Sequence, residues 1–345
     1  MKDRRRLIWG IVALIIAGGT IWTVFSNSGK LSPATVLARL RSASPGWVAF
    51  SFACMAGYIV FEALSLYCIL KGLGYGDHGA RCLVYSAGDQ FFSAITPSAT
   101  GGQPASALFM AAGAVPGAVI TVTLLLNLMM YTVATLTIGI FCLAVRFSLF
   151  LFFDDLSRFL VLAGMVALVL LVLLFLGLLQ HGALLERVGR RLFSLLHRLR
   201  LMRHPDHWNE RLEHMVEEYR LCARAVAGNV RLLLAVYLLN LAQRISQISV
   251  TPALFHAVGG IGKAGADLWI IQALSQIGSN WVPIPGGMGA ADYLMLDGFQ
   301  ILFSRDFSYE LEILSRGVSF YVCTLLSGII VLAGFFAAHR RRRGK

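Results

Sequence analysis

Residues 93–104 read Ser93-Ala94-Ile95-Thr96-Pro97-Ser98-Ala99-Thr100-Gly101-Gly102-Gln103-Pro104, and residues 281–292 read Trp281-Val282-Pro283-Ile284-Pro285-Gly286-Gly287-Met288-Gly289-Ala290-Ala291-Asp292. Each sets two prolines beside a Gly-Gly step, inside an otherwise apolar region at about 83–113 and 267–304. Proline removes a backbone donor and clashes with the preceding turn, and glycine permits sharp reversals, so neither stretch continues as a plain helix. Irregular backbone at membrane depth is tolerated only where protein or water satisfies it, which makes both stretches re-entrant or broken-helix hairpins lining a polar cavity.

Membrane depth itself follows from the flanking sequence. Of 345 residues, 57% are hydrophobic and 14% charged, against roughly 25% charged in soluble domains, and the mean hydropathy is +0.71. Apolar runs recur at about 7–25, 46–70, 117–145, 159–180, 230–258 and 314–338. Each is close to the ~20 residues that cross a bilayer as a helix. The ~10-residue alternation of a transmembrane barrel is absent. The expected fold is all-α and polytopic, with six full spans plus two hairpins in one transmembrane domain over 1–345. The run at 7–25 lacks a small-x-small cleavage site and reads as an uncleaved anchor.

Net charge is +12, and its distribution sets the expected orientation. With Lys2, Arg4, Arg5 and Arg6 inside, six spans return Arg340–Arg343 and Lys345 to the same side; 21 of the 30 Lys and Arg then fall on that side, 7 on the other and 2 within the membrane. That satisfies the positive-inside rule for an inner cell membrane with both termini cytoplasmic. The basic clusters flank spans, so their expected partners are anionic inner-leaflet lipids rather than nucleic acid, for which no basic soluble domain is present. On this topology the first hairpin enters from the inner side and the second from the outer. Oppositely oriented Pro/Gly-interrupted segments in the two halves, 1–180 and 230–338, point to an inverted-repeat carrier with its site near the midplane.

Between the halves, 181–229 is charge-mixed, and Leu185, Val188, Leu192, Leu195 and Leu196 at helical spacing predict an amphipathic helix along the inner leaflet. Its histidines, among them His204 and His207, show no zinc spacing, and the scattered cysteines Cys54, Cys68, Cys82, Cys142, Cys222 and Cys323 show no C-x-x-C. No metal or cofactor is expected. No nucleophile elbow, metalloprotease, phosphate-loop or dinucleotide motif appears, so no enzyme is expected either.

Within the spans, Arg244 stands mid-membrane, where an unpaired guanidinium costs at least about 2.5 kcal/mol. It needs a partner: Glu62, Asp89, Asp292 or a lipid phosphate. Asn240, Gln243 and Gln247 share its helical face. Thr96, Gln103 and Asn280 offer uncharged hydrogen bonds in the proposed cavity, and backbone N–H groups around Gly101-Gly102 and Pro285-Gly286-Gly287 suit a phosphate if they open half-helix N-termini. Asp89 and Gln90 are read at the entrance of the first hairpin, as capping or solvated groups.

Thr96-Pro97-Ser98 with Gly101-Gly102-Gln103-Pro104, followed downstream by Pro285-Gly286-Gly287-Met288-Gly289 and Asp292, and by Arg316 opening the last span before Leu325, Leu326 and Gly328, resembles the membrane region of lysylphosphatidylglycerol synthases. That region is the flippase half of the multiple peptide resistance factor and also occurs alone at about this length. The resemblance implies translocation of a charged-head-group phospholipid, such as aminoacylated phosphatidylglycerol or another anionic or isoprenoid lipid, and it adds Arg316 to the binding residues. Asp292 stands where such proteins often have glutamate. Nothing resembling the aminoacyl-transferase domain follows the last span, so the chain is not expected to synthesise the lipid it handles. Two other readings stay open: an ion-coupled carrier for a small solute, and a non-transporting scaffold for a lipid-modifying enzyme. A homo-oligomer is compatible with the pattern, and no residue specifies it.

Overall fold

The computed structural model describes residues 43–96, 100–180, 217–280, 282 and 289–343. The first apolar run at 7–25, the helix expected over 185–196 and the turn residues Pro97–Ala99 and Pro283–Met288 lie outside them. Among the described residues there are helices and no strand.

Helix α1, Pro45–Gly72, starts with proline at its first position, where a missing N–H costs nothing. Past its C-cap Leu73 comes Gly74, whose φ of +91° is the left-handed conformation glycine takes after a helix. Helices α2, Gly79–Ile95, and α3, Gly102–Ala112, form the first hairpin. α2 stops at Thr96, which is extended at φ −110°, ψ 148°, as the residue before a proline prefers. Two long spans follow, α4, Gly117–Phe152, and α5, Asp155–Gln180. The chain is helical again over 217–227. Then α6, Val230–Ile248, and α7, Val250–Ala257, form one broken span. Pro252 in α7 withholds the N–H that would bond Ile248, so the break falls at Ser249. The second hairpin is α8, Ala264–Asn280, and α9, Ala290–Gln300. Last come α10, Arg305–Arg316, a π turn at Gly317–Val322, and α11, Cys323–Arg343.

Five helices or helix pairs are long and apolar enough to span a bilayer: Pro45–Gly72, Gly117–Phe152, Asp155–Leu179, Val230–Ala257 and Arg305–Phe336. They coincide with the last five expected runs, except that the final span begins at Arg305 rather than near 314. Neither hairpin arm is counted among them. At 1.5 Å per residue α2 and α8 (17 residues each) rise about 25 Å and α3 and α9 (11 each) about 16 Å, so every hairpin arm is shorter than the ~30 Å hydrocarbon core.

Contacts between helix ends define two faces. On face A, Ile69 of α1 shares a cluster with Ala118 of α4, Phe175 of α5 and Tyr219, whose hydroxyl donates to the Leu178 carbonyl at 2.8 Å. The end of α11 joins them, Gly334 lying against Val84 of α2. On face B, Ser44 N donates to Ala257 O at 2.8 Å, Arg146 pairs with Asp267 at 3.3 Å, and the rings of Phe255 and Phe303 stand 5.3 Å apart. The first hairpin hangs from face A and the second from face B. Each follows a 28-residue span and precedes a longer one, so the two halves repeat with inverted orientation.

Lipid tails offer no hydrophobic drive between helices, so close packing at small residues must hold them together. Gly298 of α9 shows this: a methyl there would come within 2.3 Å of Ile271 of α8 and 2.9 Å of Phe153. α5, by contrast, exposes Phe159, Leu162, Val166, Leu170 and Leu173, the outer surface expected toward lipid.

Candidate functional site

The two hairpins and the spans beside them enclose a cavity of about 350 Å³ lined mainly by polar side chains. Its wall is a set of helical steps, each helix presenting polar groups three or four residues apart: Tyr58 and Glu62 on α1, Asn127 and Tyr131 on α4, Gln243, Arg244 and Gln247 on α6, and Gln272, Ser275, Gln276 and Ser279 on α8.

Arg244 is at the centre of this wall and only 2% exposed. One Nη1 hydrogen bond goes to the Tyr131 hydroxyl at 2.7 Å and another to Gln247 Oε1 at 2.6 Å, while Nη2 donates to Gln276 Oε1 at 2.7 Å. Its Nε has no partner. Every acceptor is uncharged, and among the described residues no carboxylate lies within ion-pair distance of the guanidinium. The expected pairing with Glu62, Asp89 or Asp292 is therefore corrected: those acids are engaged elsewhere.

Glu62 and Asp89 engage each other. Both are deeply buried, and Gln90, next to Asp89 on α2, reaches across to Glu62 on α1, which brings the two carboxyl groups to the same part of the cavity. Glu62 Oε2 accepts from Ser86 Oγ at 3.1 Å, Gln243 Nε2 at 3.2 Å and Gln90 Nε2. Asp89 Oδ1 accepts from Ser93 Oγ at 3.1 Å and Oδ2 from Gln103 Nε2 at 2.5 Å. Asp89 and Gln90 thus sit deep along the hairpin arm rather than at its entrance, because α2 begins at Gly79 and both lie past its middle.

The Gly-Gly step explains how Asp89 is held. A methyl on Gly102 would fall 2.0 Å from Asp89 Oδ1 and from Ser93 Oγ, so only glycine lets the start of α3 press against α2. The Gly101 N–H is taken by Thr96 Oγ1 at 2.9 Å, and Thr96 in turn donates to the Phe92 carbonyl at 2.6 Å. Thr96 therefore staples the hairpin turn and does not line the cavity. The α3 N-terminus, expected to be open to a phosphate, faces the Asp89 carboxyl instead, an internal anion of the kind a helix start favours. Gln103 and Asn280 do line the cavity. Pro285, Gly286 and Gly287 lie outside the described residues.

Arg316 also departs from expectation. The final span starts at Arg305, which puts Arg316 about 16 Å further along the helix, too deep to reach water along its stem. It turns into the cavity, its Nε donating to Asp292 Oδ1 at 2.5 Å with Glu312 Oε1 3.9 Å away. Asp292 opens α9, where its other oxygen accepts the Gly289 N–H at 3.1 Å. The π turn directly after Arg316 widens the backbone where Ser319, Phe320 and Thr324 reach the cavity.

Sequence reasoning missed Tyr58, Tyr131, Gln272, Gln276, Glu312 and Ser319. The signal for three of them was present: Gln272 and Gln276 fall with Ser275 and Ser279 at i, i+3, i+4 and i+7, a polar stripe along an apolar helix, and Glu312 stands one turn before Arg316. The six cysteines are unpaired, four of them buried in the packing.

No curated protein and no solved structure matches the chain. A family model does, over most of its length and through the Gly-Gly segments that shape both hairpins. Residues 10–327 match the lysylphosphatidylglycerol synthase TM region, and the chain belongs to that family.

Proposed function

We propose that this multi-pass membrane protein is a flippase-like carrier that moves a phospholipid with a charged head group between leaflets and performs no chemistry on it. The observation that carries the reading is Arg244: a guanidinium buried at mid-membrane, hydrogen-bonded only to neutral groups, facing a polar cavity between opposed hairpins. A buried cation without a counter-ion is costly, and a phosphate is the partner whose geometry and charge it suits. The unused Nε leaves donor capacity toward such a ligand. Membership of a lipid-handling family favours a lipid over a soluble solute. On this reading the acyl chains stay in the bilayer while the head group passes the slot. Face A, which gathers the start of α4 and the ends of α1, α5 and α11, is then the cytoplasmic side, consistent with the basic run that closes α11.

The test is reconstitution into liposomes carrying labelled lipids of different head groups. Wild-type protein should accelerate the crossing of an anionic or aminoacylated phospholipid, and Arg244→Ala should abolish it while preserving the fold. Equal crossing by wild type and Arg244→Ala would refute the proposal. Uptake of a soluble anion with no lipid crossing would favour the small-solute reading. Intact cellular function in Arg244→Ala and Asp292→Ala, with loss on surface changes in 181–229, would favour a scaffold.

A further inference from the structure

The Glu62–Asp89 pair is the second unusual charge arrangement in the cavity, and binding through Arg244 leaves it unexplained. The two carboxyls line the same cavity, Gln90 beside Asp89 reaching across to Glu62; they are 3% and 7% exposed, and among the described residues they accept hydrogen bonds from uncharged Ser86, Gln90, Gln243, Ser93 and Gln103. Among the described residues neither has a Lys, Arg or His within ion-pair distance. Two bare carboxylates close together out of water, with no cation on either, combine repulsion with desolvation; a shared proton removes the repulsion and leaves one charge to desolvate. Gln243 carries an independent sign of that proton. It is 1% exposed, its amide touches Glu62, and its Oε1 has no donor. Because an amide's O and N are assigned from their partners, a turned Gln243 would offer Oε1 to a protonated Glu62.

The titratable and charged groups around the pair are few. Tyr58 on α1, Tyr131 on α4, Arg244 on α6 and Cys323 on α11 form one electrostatic cluster with Glu62, and α3 contributes only neutral Gln103. With one proton shared, the pair carries a single negative charge, which balances Arg244 across the cavity. An anion seated on Arg244 cancels that balance.

We propose that Glu62 and Asp89 are a proton-binding dyad that takes up one proton when an anionic head group seats on Arg244, coupling lipid movement to proton movement. On entry, a proton from the adjoining water forms an O–H bond on the dyad as the phosphate pairs with the guanidinium. On exit the phosphate leaves, the charge of Arg244 is again uncompensated, the O–H bond breaks and the proton follows to that side. No other species is consumed. The inference rests on the carrier reading above and adds its coupling ion.

The test measures binding and protons separately. Purified protein in nanodiscs of zwitterionic lipid is mixed with short-chain phosphatidylglycerol in weakly buffered solution, with a pH indicator and bound lipid read together. The expected result is about one proton taken up per lipid bound by wild type, with that ratio falling to near zero in the Glu62→Gln/Asp89→Asn variant at lipid concentrations high enough to match its occupancy to wild type. Lipid binding by wild type without proton uptake would overturn the coupling and leave the carrier standing; a wild type that binds and moves no lipid would overturn the carrier reading and the coupling with it. In liposomes clamped at zero potential, a gradient of one pH unit should shift the steady-state leaflet distribution of labelled phosphatidylglycerol by up to about tenfold for one-to-one coupling. A distribution indifferent to the gradient, with crossing intact, would overturn the coupling as well. Infrared spectra offer a check that needs no lipid: wild type should show a protonated-carboxyl C=O band at neutral pH that Asp89→Asn removes, and its absence would count against the dyad.

Discussion

At the scale of single residues, the site is built by exclusion of volume as much as by charge. Gly102 is the clearest case, since its missing Cβ is the space that Asp89 and Ser93 occupy. Gly102→Ala should push α3 off α2 and cost about 1–3 kcal/mol, read as a lowered thermal midpoint in detergent. Because the new methyl would lie 2.6 Å from the Asp89 backbone carbonyl, a rotamer change alone cannot relieve the clash. Arg244 tests the opposite property. Arg244→Lys keeps the charge but loses the planar fork that reaches Tyr131 and Gln276 together, so lysine should restore little of the lipid crossing lost in Arg244→Ala. That an arginine stood mid-membrane was legible from the sequence, whereas its neutral partners were not. Tyr131 and Gln276 lie 113 and 32 residues away in the chain, and only helix packing brings them within 2.7 Å.

At the scale of elements, each hairpin is held by a different device. The first is stapled through Thr96 and the Gly-Gly contact, a local device where the sequence suggested cavity hydrogen bonds and an open phosphate site. The second is tied across the fold: Tyr293 of α9 donates to Asp154 in the α4–α5 loop, and the Asp154 N–H donates to Asp297 Oδ2 at 3.1 Å. Partial burial raises the Asp154 carboxyl, but donation from Tyr293 and Ser157 outweighs it, and the net shift is below the usual range. A depressed carboxylate contributes stability above its unfolded pKa that is lost as pH falls through the folded value. The tie should therefore weaken in acid, and Tyr293→Phe should remove that acid sensitivity, followed by protease access or hydrogen exchange at α9 between pH 6 and acid. Sequence pattern located both hairpins within a few residues of their observed arms, because proline and glycine act locally. It placed the last span too late, because Glu310, Glu312 and Arg316 make 305–316 look like surface, although Glu312 is buried and Arg316 lines the cavity.

At the scale of the whole molecule, the two halves hang their hairpins from opposite faces, and this arrangement sets a direct labelling test. In a cysteine-free background, cysteines at Asp77 and Lys263, beside the openings of the first and second hairpins, should react with a membrane-impermeant maleimide from opposite sides of sealed vesicles. Labelling of both from one side would contradict the inverted arrangement. The chain alone determined that the protein is helical, crosses a membrane repeatedly and breaks its helices at two Pro/Gly segments, because those outcomes depend on hydropathy over ~20 residues and on backbone freedom at single positions. Which acid meets which arginine was decided only in three dimensions. Asp292 goes to Arg316, Glu62 goes to Asp89, and Arg244 is left with neutral acceptors, since a buried charge takes whatever partner the helix packing places within its few ångströms of reach.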